Sequence, residues 1–234
     1  MDKTSMFNEV VFSLGPLNIT TTVITTWGIM LFLCLFSWAV TNKMSLKPGK
    51  LQIILEAVVE TIESAISGIA PKQAKQLLPF IGSLWIFLVV ANLVGLIPKL
   101  HSPTGDLSTT TALALLVFFS VHWYGIRNQG VKGYLKHYLS PSPILLPFHL
   151  ISEITRTVAL AVRLFGNIMS LEMAALLILM VAGFLAPIPI LMLHIIEALV
   201  QAYIFGMLAL VYVASGIQTQ ELRMKQKQQG VNHD

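Results

Sequence analysis

The sequence predicts an all-α integral membrane protein, with five membrane-crossing helices plus an amphipathic surface helix, the last two crossings long, tilted and paired as a hairpin. Three observations carry this. Hydrophobic residues make up 55% of the 234 positions and charged residues only 11%, with a mean hydropathy of +0.76, which fits a bilayer rather than water as solvent. Apolar stretches recur at the length a hydrocarbon core of about 30 Å demands, about 20 helical residues. One further apolar segment repeats at helical spacing but carries carboxylates on its other face.

Taken in order, residues 1–19 form an external N-terminal segment. They lack a basic stretch followed by a short apolar run and a small-residue cleavage site, so no signal peptide is expected and the first crossing, 20–41, directs its own insertion. Cys34 lies within this crossing and is the single cysteine, which excludes an intrachain disulfide and reads as a packed or lipid-facing thiol. In 48–70, Leu51, Ile54, Leu55, Val58, Ile62, Ile66 and Ile69 form one stripe, while Glu56, Glu60 and Glu63 lie elsewhere. Central carboxylates make a crossing costly, so this helix is expected on the membrane surface. Residues 78–126 hold the second and third crossings, near 78–98 and 108–126, around a short external loop. Residues 148–216 hold the hairpin, with windows 148–182 and 189–216 that exceed a perpendicular span and must tilt or bend. Its turn is expected at Pro187 and Pro189, with Gly183 ending the preceding helix. Residues 217–234, rich in Gln and Lys, form a tail expected to fray from Gln218 onward.

A formal charge of +4 does not point to nucleic acid, because the basic residues sit dispersed at the ends of apolar segments. Lys43, Lys47, Lys50, Lys72, Lys75, Arg127, Lys132, Lys136, Arg223, Lys225 and Lys227 fall on one side if the N-terminus is outside, and the opposite loops carry little beyond Lys99. The C-terminus is therefore expected in the cytoplasm. No internal repeat is evident, which argues against an inverted-repeat transporter.

Polar residues at membrane depth are expensive and mark function by default. Along 148–182, Arg156, Arg163, Asn167 and Ser170 share one helical face. Glu172 points about 180° away from Arg163, and Glu153, ten residues earlier, lies about 15 Å along the axis. Guanidinium keeps its proton in proteins, so Arg163 needs a counter-charge that its own segment does not supply. On the last crossing His194, Glu197 and Gln201 stack at i, i+3 and i+7. With the turn at the prolines, Glu172 reaches the depth of Glu197 and Gln201, and a shared aqueous pocket for two carboxyls and an imidazole is expected. His101, His122, His137 and His149 read as loop or interfacial residues, with no metal-site spacing. Trp27, Trp85, Trp123 and Tyr124 read as packing or interface anchors.

These residues carry a resemblance. RLFGN at 163–167, Glu172, His194 and QAYIF from Gln201, extended by NLVGLIP and GDLSTTTALAL, are similar to the signature of subunit a, the membrane stator of rotary F-type ATP synthases. The resemblance implies a bacterial inner-membrane protein without catalytic activity or cofactor of its own. Its partners would be the carboxylates of a rotor c-ring, peripheral stalk b subunits and the lipid bilayer. The family's essential arginine maps onto Arg163, its neighbouring asparagine onto Asn167, its channel glutamate and histidine onto Glu172 and His194, and its glutamine beside the arginine onto Gln201. Glu172, Glu197, His194 and Gln201 are assigned to an outer half-channel, with Asn167 and Arg156 nearer the arginine and the inner path. Arg156 and Glu153 are similar to a Glu and Arg pair in relatives. Leu171, Thr157 and Ala159 depart from the common pattern, where Gly, Pro and Ser are frequent. Proton translocation coupled to rotation is the expected function. Sodium as coupling ion, or a secondary transporter, are the alternatives.

Overall fold

The computed structural model describes residues 10–14, 17–42, 44, 49–97, 102–139, 146–182 and 187–231. Among them the chain opens with two strands, β1 (Val10–Leu14) and β2 (Leu17–Thr20). They pair antiparallel from Leu14 opposite Leu17 to Val10 opposite Thr20. This hairpin, which periodicity did not signal, leads directly into α1 (Thr21–Thr41). The rest is helical: α2 (Lys50–Ile69), α3 (Ala74–Val94), a 3₁₀ turn at Pro103–Gly105, α4 (Leu107–Leu139), α5 (Leu146–Ala182) and α6 (Pro187–Val231). Among the described residues five helices are long and apolar enough to cross a membrane, and α2 is not one of them.

The crossing helices solve the polar-group problem internally. In α1 the Thr25 and Thr26 hydroxyls donate to the carbonyls of Thr21 and Thr22 at 3.0 and 2.8 Å, so neither faces hydrocarbon unpaired. Only Thr22 and Ile29 of α1 are buried. In α2 the expected stripe divides: Ile62 and Ile66 are buried in the common core, while Leu51, Ile54 and Val58 are exposed.

α4 runs past its expected end and breaks at Gly130, where φ 73 and ψ 161 lie in a region essentially confined to glycine. Its membrane-length part is Leu107–Arg127. α6 continues to Val231, so the described part of the tail expected to fray is helical. Its run of Gln, Glu, Leu, Arg, Met and Lys consists of good helix formers. The apolar parts of α5 and α6, 32 and 29 residues, measure about 48 and 44 Å at 1.5 Å per residue against a core of about 30 Å, so they cross obliquely or bend. The connection at 183–186, including Gly183, lies outside the described residues, and Pro187 begins α6.

The core lies where α3, α5 and α6 meet, closed by α2 and α4. α6 supplies Ala198, Ala202, Phe205, Ala209 and Val213, all 1% exposed or less. The small members of that stripe let neighbouring backbones approach. The tightest approach is at Gly206, where a Cβ would fall inside the Trp85 indole. Trp85 stacks on Tyr203 with centroids 5.8 Å apart, and its Nε1–H donates to the Tyr203 carbonyl at 3.3 Å. Trp85 is thus an anchor of α3 on α6 rather than an interface residue. On α5 the core stripe is Leu160, Ala161, Leu164, Ile168 and Leu171, and this registers the polar face beside it.

Candidate functional site

Burial of Leu160, Leu164 and Ile168 turns Arg163 outward, and its side chain is exposed on the surface of the chain. Its neighbours on that face are Ala159, Gly166 and Ser170, with Ala159 and Ser170 exposed and nothing within 4 Å of a Cβ built on Gly166. Among the described residues no ion pair involves Arg163. A cation that cannot deprotonate therefore stands on a face of small side chains that a second helix can approach closely.

One turn further along α5, Asn167 reaches α6. Its Nδ2–H donates to Gln201 Oε1 at 2.7 Å. Gln201 is 2% exposed, and its Nε2 has no hydrogen-bond partner. Gln201 thus joins α6 to α5 through Asn167, one helical turn along from Arg163.

Glu172 and His194 occupy the end of the bundle near the turn between α3 and α4. The Ser102 backbone N–H donates to Glu172 Oε1 at 3.3 Å. A Cβ on Gly105 would stand 3.3 Å from Glu172 Oε2, so glycine leaves that carboxyl its room. His194, 5% exposed, brings Nε2 to within 3.3 Å of the Asn92 carbonyl. A carbonyl only accepts, so this contact places a proton on Nε2. Glu197 is half-buried one turn beyond His194. A neutral network of side chains lies between the Glu172 and His194 contacts. Asn92 donates from Nδ2 to the Ala198 carbonyl at 3.2 Å and accepts at Oδ1 from Thr104 Oγ1 at 2.6 Å. Thr104 Oγ1 lies 2.6 Å from Ser102 Oγ, which also lies 2.9 Å from the Ala91 carbonyl. Sequence reasoning missed Asn92, Ser102 and Thr104. The available signal was an amide within the apolar run LVVANLVGLIP, a polar group at membrane depth of the same kind as those singled out on α5 and α6.

At the opposite end, Arg156 Cζ lies 5.6 Å above the Tyr212 ring, within cation–π range. His122, expected in a loop or interface, lies inside α4. Its Nε2 is 3.7 Å from Glu153 Oε2 and its Nδ1 is 2.9 Å from the Phe118 carbonyl. No cluster of three or more His, Cys, Asp or Glu able to hold a metal occurs among the described residues.

Comparison with known proteins converges on one family. Residues 23–214 match the family model described as ATP synthase A chain. The chain is 62% identical over 221 residues to ATP synthase subunit a 2 of Pelobacter propionicus, covering 94% of this chain and 97% of that one. It is 70% identical over 205 residues to ATP synthase subunit a 1 of Hahella chejuensis, covering 88% and 87%. Subunit a of Legionella pneumophila (strain Philadelphia 1) is 59% identical over 213 residues, covering 91% and 93%. The chain belongs to the ATP synthase A chain family, as a multi-pass membrane component of the complex that links ion transport to ATP synthesis.

Proposed function

We propose that this chain is the stator half of the ion-driven motor, with two aqueous half-channels on either side of Arg163 that couple proton translocation to rotation of a c-ring. The observation that carries the reading is the exposed, unpaired guanidinium on a face of small residues. A cation at membrane depth without an acid of its own chain is tolerable if each rotor subunit presents a carboxylate there in turn. As a protonated rotor carboxyl nears Arg163, the fixed charge favours its ionised form and the proton leaves through one half-channel. The ionised group passes the guanidinium and reloads from the other side. Arg163, always charged, carries no proton across and keeps the half-channels separate.

In this reading Glu172, His194 and Glu197 line the outer path, the Asn167 and Gln201 pair stands at the centre beside Arg163, and Arg156 lies toward the inner path. The chain is non-catalytic in itself. It sits in the bacterial inner membrane with its N-terminus outside and C-terminus cytoplasmic, following the distribution of basic residues. The remaining apolar surface, including exposed Trp27, Phe32, Leu35 and Trp38 of α1, faces lipid and the b subunits of the peripheral stalk. Sodium as coupling ion gives the same geometry of this chain, because the selecting ligands lie on the rotor.

The test is ATP-driven ion pumping by the reconstituted complex. Arg163→Ala is expected to abolish pumping with the subunit still assembled. Arg163→Lys is expected to fail as well, since an ammonium is a compact, strongly hydrated point charge that loses its proton when desolvated. Coupled pumping at the wild-type rate by either variant contradicts the mechanism.

A further inference from the structure

The turn between α3 and α4 is built around Glu172 more closely than a connecting loop requires. Ser102 and Thr104 are 2% and 0% exposed, and Asn92 beneath them is 0% exposed. A Cβ on Gly95 would stand 3.0 Å from the Ser102 Cβ, and one on Gly105 would meet the Glu172 carboxyl. Ser102 is therefore pressed against the end of α3 and Gly105 against Glu172 of α5. Buried polar groups in this number carry a cost unless each is paired, and the pairing is what gives them a fixed geometry.

The orientation of the Asn92 amide is set by its two partners. Nδ2–H faces the Ala198 carbonyl, so Oδ1 faces Thr104, and Thr104 must spend its single hydroxyl proton there. Ser102 Oγ then has a choice, because its one proton can go to the Ala91 carbonyl or to Thr104 Oγ1. Every side chain of the chain is thus anchored at the Asn92 end, and the residue that ends it, Ser102, is the one whose backbone N–H holds Glu172. At the other end the Asn92 carbonyl holds His194. One residue chain, Asn92 to Thr104 to Ser102, fixes the spacing between an ionisable group on α5 and another on α6.

We propose that Asn92, Thr104 and Ser102 are positioning residues of the ion path, a neutral hydrogen-bonded brace that sets where the Glu172 carboxyl and the His194 imidazole stand relative to each other. The proposal rests on reading Glu172 and His194 as ion-path residues. The other charged side chains on the surrounding elements are Asp106 at the head of α4, Glu197 on α6 and Arg163 on α5. α3 adds none at this end among the described residues.

Thr104→Val tests it in the assembled complex. The substitution keeps the shape, removes the hydroxyl and strands Asn92 Oδ1 in a buried site. Passive ion flux through the membrane sector is measured against pH and normalised to the amount of subunit in the complex. Thr104→Val is expected to slow flux about fivefold or more and to displace its pH midpoint in the same direction as substitution of Glu172 or His194. Thr104→Ser, which restores the hydroxyl, is expected to return both rate and midpoint to wild type. Thr110→Val is the control: Thr110 is fully buried but its hydroxyl bonds only the Asp106 and Leu107 carbonyls of its own helix start, and the wild-type profile is expected. An unmoved pH midpoint in Thr104→Val, or the same displacement in Thr110→Val, overturns the brace. If Glu172→Gln and His194→Ala themselves leave rate and pH profile unchanged, it is the ion-path reading that falls, and the two failures are distinct.

Discussion

At the scale of the residue, Gln201 shows how a local defect and a function coincide. Its Oε1 accepts from Asn167 at 2.7 Å, but its Nε2 is buried without a partner. Leaving a buried donor unpaired costs about 1–3 kcal/mol, so the group is retained at the expense of stability of the isolated chain. Gln201→Leu is therefore expected to leave thermal stability unchanged or raise it, while lowering ATP-driven pumping, because the amide paired with Asn167, one turn from Arg163, is lost. Thermal denaturation followed by a vesicle pumping assay checks both, and a destabilised variant with normal pumping contradicts the argument. Arg163, Asn167, Glu172, His194, Glu197 and Gln201 were legible as candidates, since charges and amides stand out in apolar helices. The partnership of Asn167 with Gln201 was not. It depends on where α5 crosses α6, and the depth of each helix relative to the other is set by packing of Leu164, Ile168 and Ala202, which periodicity leaves undetermined. Asn92 was passed over because a single amide gives no spacing to recognise.

At the scale of the element, hydropathy and length located all five crossing helices and the amphipathic α2, because the bilayer imposes both directly. What they left open was where helices continue outside the membrane. α4 runs on through the break at Gly130, and α6 runs to Val231, since good helix formers extend a helix whether or not lipid surrounds it. The hairpin of β1 and β2 was equally hidden, being a pairing of two short strands with no periodic signal of their own. The contact of α3 with α6 turns on Gly206, where the Trp85 indole occupies the place of a side chain. Gly206→Ala is expected to push Trp85 off Tyr203 and destabilise this contact by about 1–3 kcal/mol. The midpoint of heat-induced loss of the subunit from detergent-solubilised complex should fall accordingly. An unchanged midpoint would mean that the indole rotates away without cost.

At the scale of the whole molecule, the chain is organised around an asymmetry. Its core is closed by apolar packing of α2 to α6, while the one face of α5 that carries an unpaired cation is left open and lined by small residues. The exposed side of α5 also carries Val158, Val162, Met173 and Leu176, so the charge stands on a helix whose outward surface is otherwise apolar, where salt and water screen it little. The partner that completes such a surface brings a carboxylate at membrane depth. The most direct test is a density map of the assembled complex in its membrane. The Arg163 guanidinium is expected to face the carboxylate-bearing helices of the rotor, with no acidic side chain of its own chain within 4 Å, the limit for an ion pair. A guanidinium held in an ion pair by Glu153, Glu172 or Glu197 of the same chain, or turned away from the rotor toward the acyl chains, would contradict it.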